Sequence, residues 1–165
     1  MGPGELNREM PRFLVVTPTF QSEDYLDECI HSIVGQAGDF EVRYHIQDGG
    51  STDETWAIIQ RWQAALEANP GLFPCRVTLT AEQAPDAGMY DAISKAFAHL
   101  RPRAEDVMTW LNSDDLLATG AFKAVAGCMV ENPSVALCGG RTALINAETR
   151  LDHVGTPMLR SQALM

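Results

Sequence analysis

At 165 residues, 45% of them hydrophobic, the chain can build one compact core and is too short for two ordinary domains. Charged residues at 21%, with aromatic and branched apolar side chains spread throughout, argue against a wholly disordered chain. A formal net charge of −10 argues against sequence-independent binding of DNA or RNA, while a divalent ion or a helix N-terminus could still admit a small phosphorylated ligand.

Residues 1–12 read as a flexible lead-in, and order is expected from the continuous apolar run Phe13-Leu14-Val15-Val16, a pattern of strands buried on both faces. Thr17-Pro18-Thr19 is expected to end this strand, because proline donates nothing to a central ladder. Ser22 offers an N-cap, with Glu23 and Asp24 in the first turn, for a helix carrying Leu26, Ile30, Ile33 and Val34 and stopping at Gly35 or Gly38. Residues 41–47 form a second strand closing on Asp48-Gly49-Gly50. Ser51 and Glu54 then fit a capping box for a helix with Trp56, Ile59, Trp62 and Leu66 on its apolar face. Asn69-Pro70-Gly71 terminates that helix. A third strand at 76–80 leads through a loop at 82–88 to a helix with Met89, Ile93, Phe97 and Leu100. A fourth strand at 107–111 precedes Asn112 to Asp115 and a helix with Phe122, Val125 and Met129; a fifth strand is expected at 134–138. Alternating strands and helices imply an α/β fold, three-layered, with a largely parallel central sheet.

The polar segments at 17–19, 48–50, 82–88 and 112–115 each follow the C-terminal end of an expected strand, the edge where open α/β sheets bind ligands. Asp48 suits a nucleobase or ribose contact, or equally a simple Asp-Gly turn. Asp114 and Asp115, beside Asn112 and Ser113, supply hard oxygen ligands for Mg²⁺ or Mn²⁺, or else an acidic first turn of the next helix. Gly88 allows close backbone approach to a ligand and Asp86 a sugar or base contact; a capped helix start is the structural alternative. Lys95 reads first as an i,i+4 ion pair with Asp91 and second as a phosphate contact.

His31, His45, His99 and His153 are isolated in sequence and read as surface or packed residues, and Trp56 and Trp62 as core. Cys29, Cys75, Cys128 and Cys138 lack zinc-ligand spacing and read as buried, reduced thiols of a cytosolic protein. No nucleophile elbow, Walker loop or Gly-x-Gly-x-x-Gly fingerprint is present. With no signal-peptide pattern and no membrane-length apolar stretch, the chain reads as soluble and cytoplasmic, with peripheral contact at the inner face of a membrane left open.

In order, Val16-Thr17-Pro18-Thr19-Phe20-Gln21, Gln47-Asp48-Gly49-Gly50-Ser51-Thr52-Asp53, Pro85-Asp86-Ala87-Gly88-Met89-Tyr90-Asp91-Ala92 and Leu111-Asn112-Ser113-Asp114-Asp115 resemble the motifs of family 2 glycosyltransferases of the GT-A fold, in a bacterial polysaccharide-type subgroup. The resemblance spans residues 13–140, expected as the nucleotide-sugar-binding domain, with 141–165 as an extension or the start of an acceptor region. It implies a nucleotide-diphosphate sugar donor, a divalent ion (Mg²⁺ or Mn²⁺) on the diphosphate, and transfer, inverting, to a saccharide or lipid-linked acceptor in polysaccharide synthesis. By position, Pro18 and Thr19 would border the base, Asp48 hold base or ribose, and Asp86 and Gly88 line the donor pocket. Asn112 stands where many relatives have the first Asp of the D-x-D motif, so Asp114 would be the main metal ligand, with Asp115 as a helper. Gln21, Ser94 and Ala96 depart from the subgroup's usual Asn, Asn and Gly. The general base of such enzymes lies further along, and Glu148 and Asp152 match no motif for it. A catalytically incomplete sugar-nucleotide binder is the competing reading. A nucleotidyltransferase is the third, weakened by the absence of a Gly-rich basic loop after the first strand.

Overall fold

The apolar run at residues 13–16 becomes the middle of a strand, and its four side chains are all 0–1% exposed, on both faces. That burial needs a helical layer on each side. The computed structural model describes residues 10–146 and 151–155, and its contacts divide the chain into two units, residues 1–124 and 125–165.

In the first unit, β1 (Arg12–Thr19), β2 (Glu41–Asp48), β3 (Arg76–Gln83) and β4 (Val107–Trp110) form one sheet in the order β3-β2-β1-β4. All three pairings are parallel. Helix α1 (Leu26–Val34) buries Leu26, Cys29, Ile30, Ile33 and Val34, an i,i+3/i+4 stripe. Helix α2 (Thr55–Ala68) packs on β3 and α1. Helix α3 (Met89–Leu100) lies on β1 and β2, where Ala96 and Leu100 meet Leu14 and Val16. The small Ala96 at 0% exposure lets helix and sheet approach closely, so a methyl group is accommodated where the subgroup's glycine would stand. Helix α4 (Ala121–Glu131) begins in this unit, and its Phe122 stacks on Phe13 at 4.4 Å, with Phe40 edge-on to both rings.

β1 differs from its expected end. It runs through Pro18 to Thr19, paired with β2 throughout, whereas its pairing with β4 ends at Val16. Leu111 N–H donates to the Val16 carbonyl on the β4 side, and Gly49 N–H to the Thr19 carbonyl on the β2 side. Alternation along the strand aims the Pro18 nitrogen at the β4 side, beyond the end of that ladder. Proline therefore costs no bond there.

The expected caps also differ. α1 starts at Leu26, and Ser22 turns its hydroxyl to Ser113 Oγ at 2.9 Å. The capping box of Ser51 and Glu54 does not form: α2 starts at Thr55, whose N–H is taken by Asp53 Oδ1 at 3.1 Å, while Glu23 Oε2 accepts from Glu54 N–H at 2.8 Å. Trp56 and Trp62 are half-buried rather than core, and Trp62 Nε1 donates to Asp27 Oδ1 at 2.9 Å.

In the second unit, residues 134–138 carry no strand. Instead β5 (Ala143–Ile145) and β6 (Leu151–Val154) pair antiparallel. Asp152 lies on β6; Glu148 lies outside the described residues. No helix among the described residues is long and apolar enough to cross a membrane.

Candidate functional site

The C-terminal ends of β1 and β4, the turn after β2 and the segment before α3 surround one cleft of about 820 Å³. Its walls include Pro18, Thr19, Gly49, Asp86, Gly88, Asn112 and Asp114, so the structure brings together most of the residues singled out by sequence. Asp48 and Asp115 are not in its lining.

Asp48 lies directly behind the wall, 0% exposed. Its Oδ1 accepts from Thr19 Oγ1 (2.9 Å) and Ser51 Oγ (2.5 Å). Its Oδ2 accepts from Gly50 N–H (3.2 Å), Ser51 N–H (2.9 Å) and Gln83 Nε2 (2.8 Å). With both oxygens engaged and no exposed surface, this carboxylate organises the wall instead of facing a base or ribose.

The loop after β1 is tied to the turn after β2 by paired contacts. Gln21 N–H donates to Ser51 Oγ (2.9 Å), Thr52 N–H to Gln21 Oε1 (2.7 Å), and Ser22 N–H to Thr55 Oγ1 (2.8 Å). Gln21 has φ +52°, a left-handed conformation in which Asn is several-fold enriched. That preference gives a physical reason for the subgroup's Asn, and Gln21 satisfies the same turn while using its longer side chain to reach Thr52.

Opposite, Asp86 Oδ1 accepts from Gly88 N–H at 2.8 Å. Gly88 has φ 108° and ψ 178°, a region essentially restricted to glycine. Gly49 is closely packed: a Cβ there would lie 3.0 Å from Asp86 Oδ2 and 3.4 Å from Phe20, so a side chain would require Asp86 to shift. Lys95 makes its i,i+4 pair with Asp91 at 2.7 Å and donates to the Pro85 carbonyl at 3.2 Å, holding the start of α3. The hydrogen bond and charge of the Asp91 pair raise the Lys95 pKa and lower that of Asp91.

Asp114 is exposed on the cleft wall. Asp115 N–H donates to the Asn112 carbonyl at 3.1 Å, and Asn112 Nδ2 to Asp115 Oδ2 at 3.3 Å. This fixes the Asn112 amide with Oδ1 buried and without a hydrogen-bond partner. The exposed Asp114 carboxylate and, two positions before it on the same cleft wall, an amide oxygen without a partner are hard oxygen donors of the kind Mg²⁺ or Mn²⁺ takes. Asp115 serves here as the residue that orients Asn112.

All four cysteines are free thiols; Cys29 and Cys75 are buried and Cys128 and Cys138 half-buried. Burial pushes Cys29 up to about 12 and Cys75 up to about 11, which keeps both protonated. The histidines read as isolated are not all so: His45 and His99 stack with centroids 4.3 Å apart, beside Glu82. Burial first, and His99 second, lower the His45 pKa to about 4 despite the nearby Gln47 amide. Lying 54 positions apart in the chain, the two histidines give no local signal; only the packing of α3 on β2 joins them.

Among solved structures, the chain is similar to TarS 1–349 of S. aureus, with 23% identity and a TM-score of 0.56 over 74% of this chain and 33% of that one. The same protein in complex with UDP-GlcNAc aligns with 24% identity and a TM-score of 0.54 over 74% and 32%. A mannosyltransferase, PcManGT from Pyrobaculum calidifontis, in complex with GDP-Man and Mn²⁺, aligns with 24% identity and a TM-score of 0.57 over 78% and 34%. The chain thus spans about a third of the length of each, and at these identities the likeness establishes the fold. No curated protein matches. Glycosyl transferase family 2 matches residues 14–162, nearly the whole chain. The chain belongs to glycosyl transferase family 2.

Proposed function

We propose that the cleft holds a nucleotide-diphosphate sugar with Mg²⁺ or Mn²⁺ on its diphosphate. In this reading the whole protein transfers the sugar, with inversion, to a hydroxyl of a saccharide or lipid-linked acceptor in cytoplasmic polysaccharide synthesis. The observation that carries the donor site is its charge. Asp24, Asp86 and Asp114 line the cleft, and among its described lining residues there is neither Lys nor Arg. A bare diphosphate would be repelled by this wall, whereas one paired with a dication would not.

Asp114 and Asn112 Oδ1 would hold the ion, with Asp115 fixing the amide. Pro18 and Thr19 would border the base, and Asp86 and Gly88 the remainder of the donor. Asp48 would act from behind, through Thr19 and the turn at Gly49. The ion when bound would neutralise the diphosphate and stabilise the leaving nucleotide. The GDP-Man and Mn²⁺ named with the mannosyltransferase, and the UDP-GlcNAc named with TarS, support this class of donor. A nucleotidyltransferase is disfavoured, since the loop Phe20-Gln21-Ser22-Glu23-Asp24-Tyr25 after β1 has no basic residue for a triphosphate.

Titration with UDP-, GDP- and dTDP-sugars, with and without Mn²⁺, tests the donor site. Metal-dependent binding of at least one is expected, weakened at least tenfold, about 1.4 kcal/mol, in Asp114→Ala. No binding of any donor would overturn the reading. Metal-dependent release of nucleoside diphosphate in the presence of an acceptor then separates transfer from binding alone.

A further inference from the structure

In the parallel register of β2 and β3, His45 lies beside Thr80 and Gln47 beside Glu82. Side chains alternate along a strand, so these four project from one face of the sheet. It is the face covered by α3, as the stacking of His45 on His99 requires. Thr80 Oγ1 lies 2.8 Å from His45 Nδ1 and 3.4 Å from the Tyr44 carbonyl oxygen. With Nδ1 engaged by Thr80 in either tautomer, Nε2 is the ring nitrogen left for a ligand. That nitrogen belongs to a residue 0% exposed and has no hydrogen-bond partner. The amide nitrogen and oxygen of Gln47 are likewise buried and unpartnered.

One ligand atom from each of His45, Glu82 and His99 lies within 4.8 Å of the others. Tetrahedral ligands at bond lengths of about 2.1 Å stand about 3.4 Å apart. Glu82 and His99 are exposed and can turn to close the difference, while buried His45 stays as the fixed member.

We propose that His45, Glu82 and His99 form a second metal site, separate from the donor cleft, that takes one transition-metal dication, Zn²⁺ foremost. Two imidazoles and a carboxylate suit Zn²⁺ over Mg²⁺. Three protein ligands leave a fourth position for water. By accepting from Nδ1, the Thr80 hydroxyl would hold His45 in the tautomer that leaves Nε2 for the ion, the usual task of outer partners at metal-bound histidines. None of the three residues lines the cleft. A bound ion ties β2, β3 and α3 together, which stabilises the sheet edge by mass action on the folded state.

The test titrates tag-free protein with Zn²⁺ alone, and with Co²⁺ as a spectroscopic substitute, in the absence of nucleotide. One equivalent is expected to bind, with a visible Co²⁺ band, altered NMR signals of the His45 and His99 rings, and a raised Tm. Affinity falls at least tenfold in His99→Ala and in Glu82→Gln, both changes at exposed positions that leave the core intact. It is unchanged in Asp114→Ala, which separates this site from the donor site. Absence of Zn²⁺ and Co²⁺ binding, or binding indifferent to His99→Ala and Glu82→Gln, overturns the proposal.

Discussion

The oxygens of Asp48 are shared by donors from three strand ends: Thr19 on β1, Ser51 after β2, and Gln83 on β3. Hydrogen bonds to a charged group are worth about 1.5–3 kcal/mol each, and donors stranded by its removal keep their desolvation cost. Asp48→Ala is therefore expected to destabilise the fold by about 3 kcal/mol, measured by urea denaturation. Donor affinity should fall with it, through displacement of Thr19 and Gly49. A surface contact to base or ribose would instead lose affinity at unchanged stability, and that result would restore the direct role. The sequence showed that an Asp stands at a strand end; it could not show which way the carboxylate turns. That direction depends on Thr19 and Gln83, which lie 29 and 35 residues away in the chain. Asp114 was more legible, because a polar run after an apolar strand leaves its exposed side chain at the sheet edge whatever the partners.

Elements were legible where burial periodicity is strong and obscure where long-range partners decide. β1 could be read from Phe13 to Val16, but its continuation through Pro18 depends on β4 ending first. The helix starts were misplaced because Ser22 and Ser51 spend their hydroxyls on Ser113 and Asp48. Strand character at 134–138 rested on a short apolar run, which periodicity alone does not distinguish from irregular chain. The start of β1 holds a further device invisible in sequence: Arg12 Nε and a terminal nitrogen donate to the two oxygens of Asp106, at 2.7 and 2.5 Å, stapling β1 to the entry of β4. Asp106 has a side chain 0% exposed and Arg12 12%. Burial works to raise the Asp106 pKa, but the Arg12 hydrogen bonds and the Arg103 N–H outweigh it and hold the carboxyl below its ordinary value. The unfolded chain then binds the proton more readily than the folded one, so the pair's contribution is complete above about pH 4. It is lost as pH falls through the depressed folded value. Arg12, with its own pKa raised, remains charged throughout. Arg12→Met is expected to cost about 2 kcal/mol at pH 7, with the deficit shrinking in acid below about pH 4. Urea midpoints measured along a pH series check this; a deficit independent of pH would assign the loss to packing of the Arg12 stem.

Across the whole molecule, a net charge of −10 and a cleft lined by three carboxylates act in the same direction on an anionic donor. Repulsion between separated charges is screened beyond a Debye length of about 10 Å at 0.1 M salt. Without metal, added salt therefore weakens the barrier, and residual donor binding should strengthen by roughly two- to fivefold between low and moderate ionic strength. With Mn²⁺ at saturation the sign reverses, because the dominant interaction is then attraction between the ion, Asp114 and the diphosphate, which salt also screens. Titration of the same donor at several NaCl concentrations, with EDTA and then with Mn²⁺, reads both slopes. Opposite signs are the outcome required by an all-acid wall that recruits its own cation. Parallel negative slopes would mean that a basic group outside this wall binds the phosphates, and the charge argument for the cation at Asp114 would fail. The His45, Glu82 and His99 cluster leaves this result untouched, since it lies outside the cleft lining and its metal affinity is read in the absence of donor.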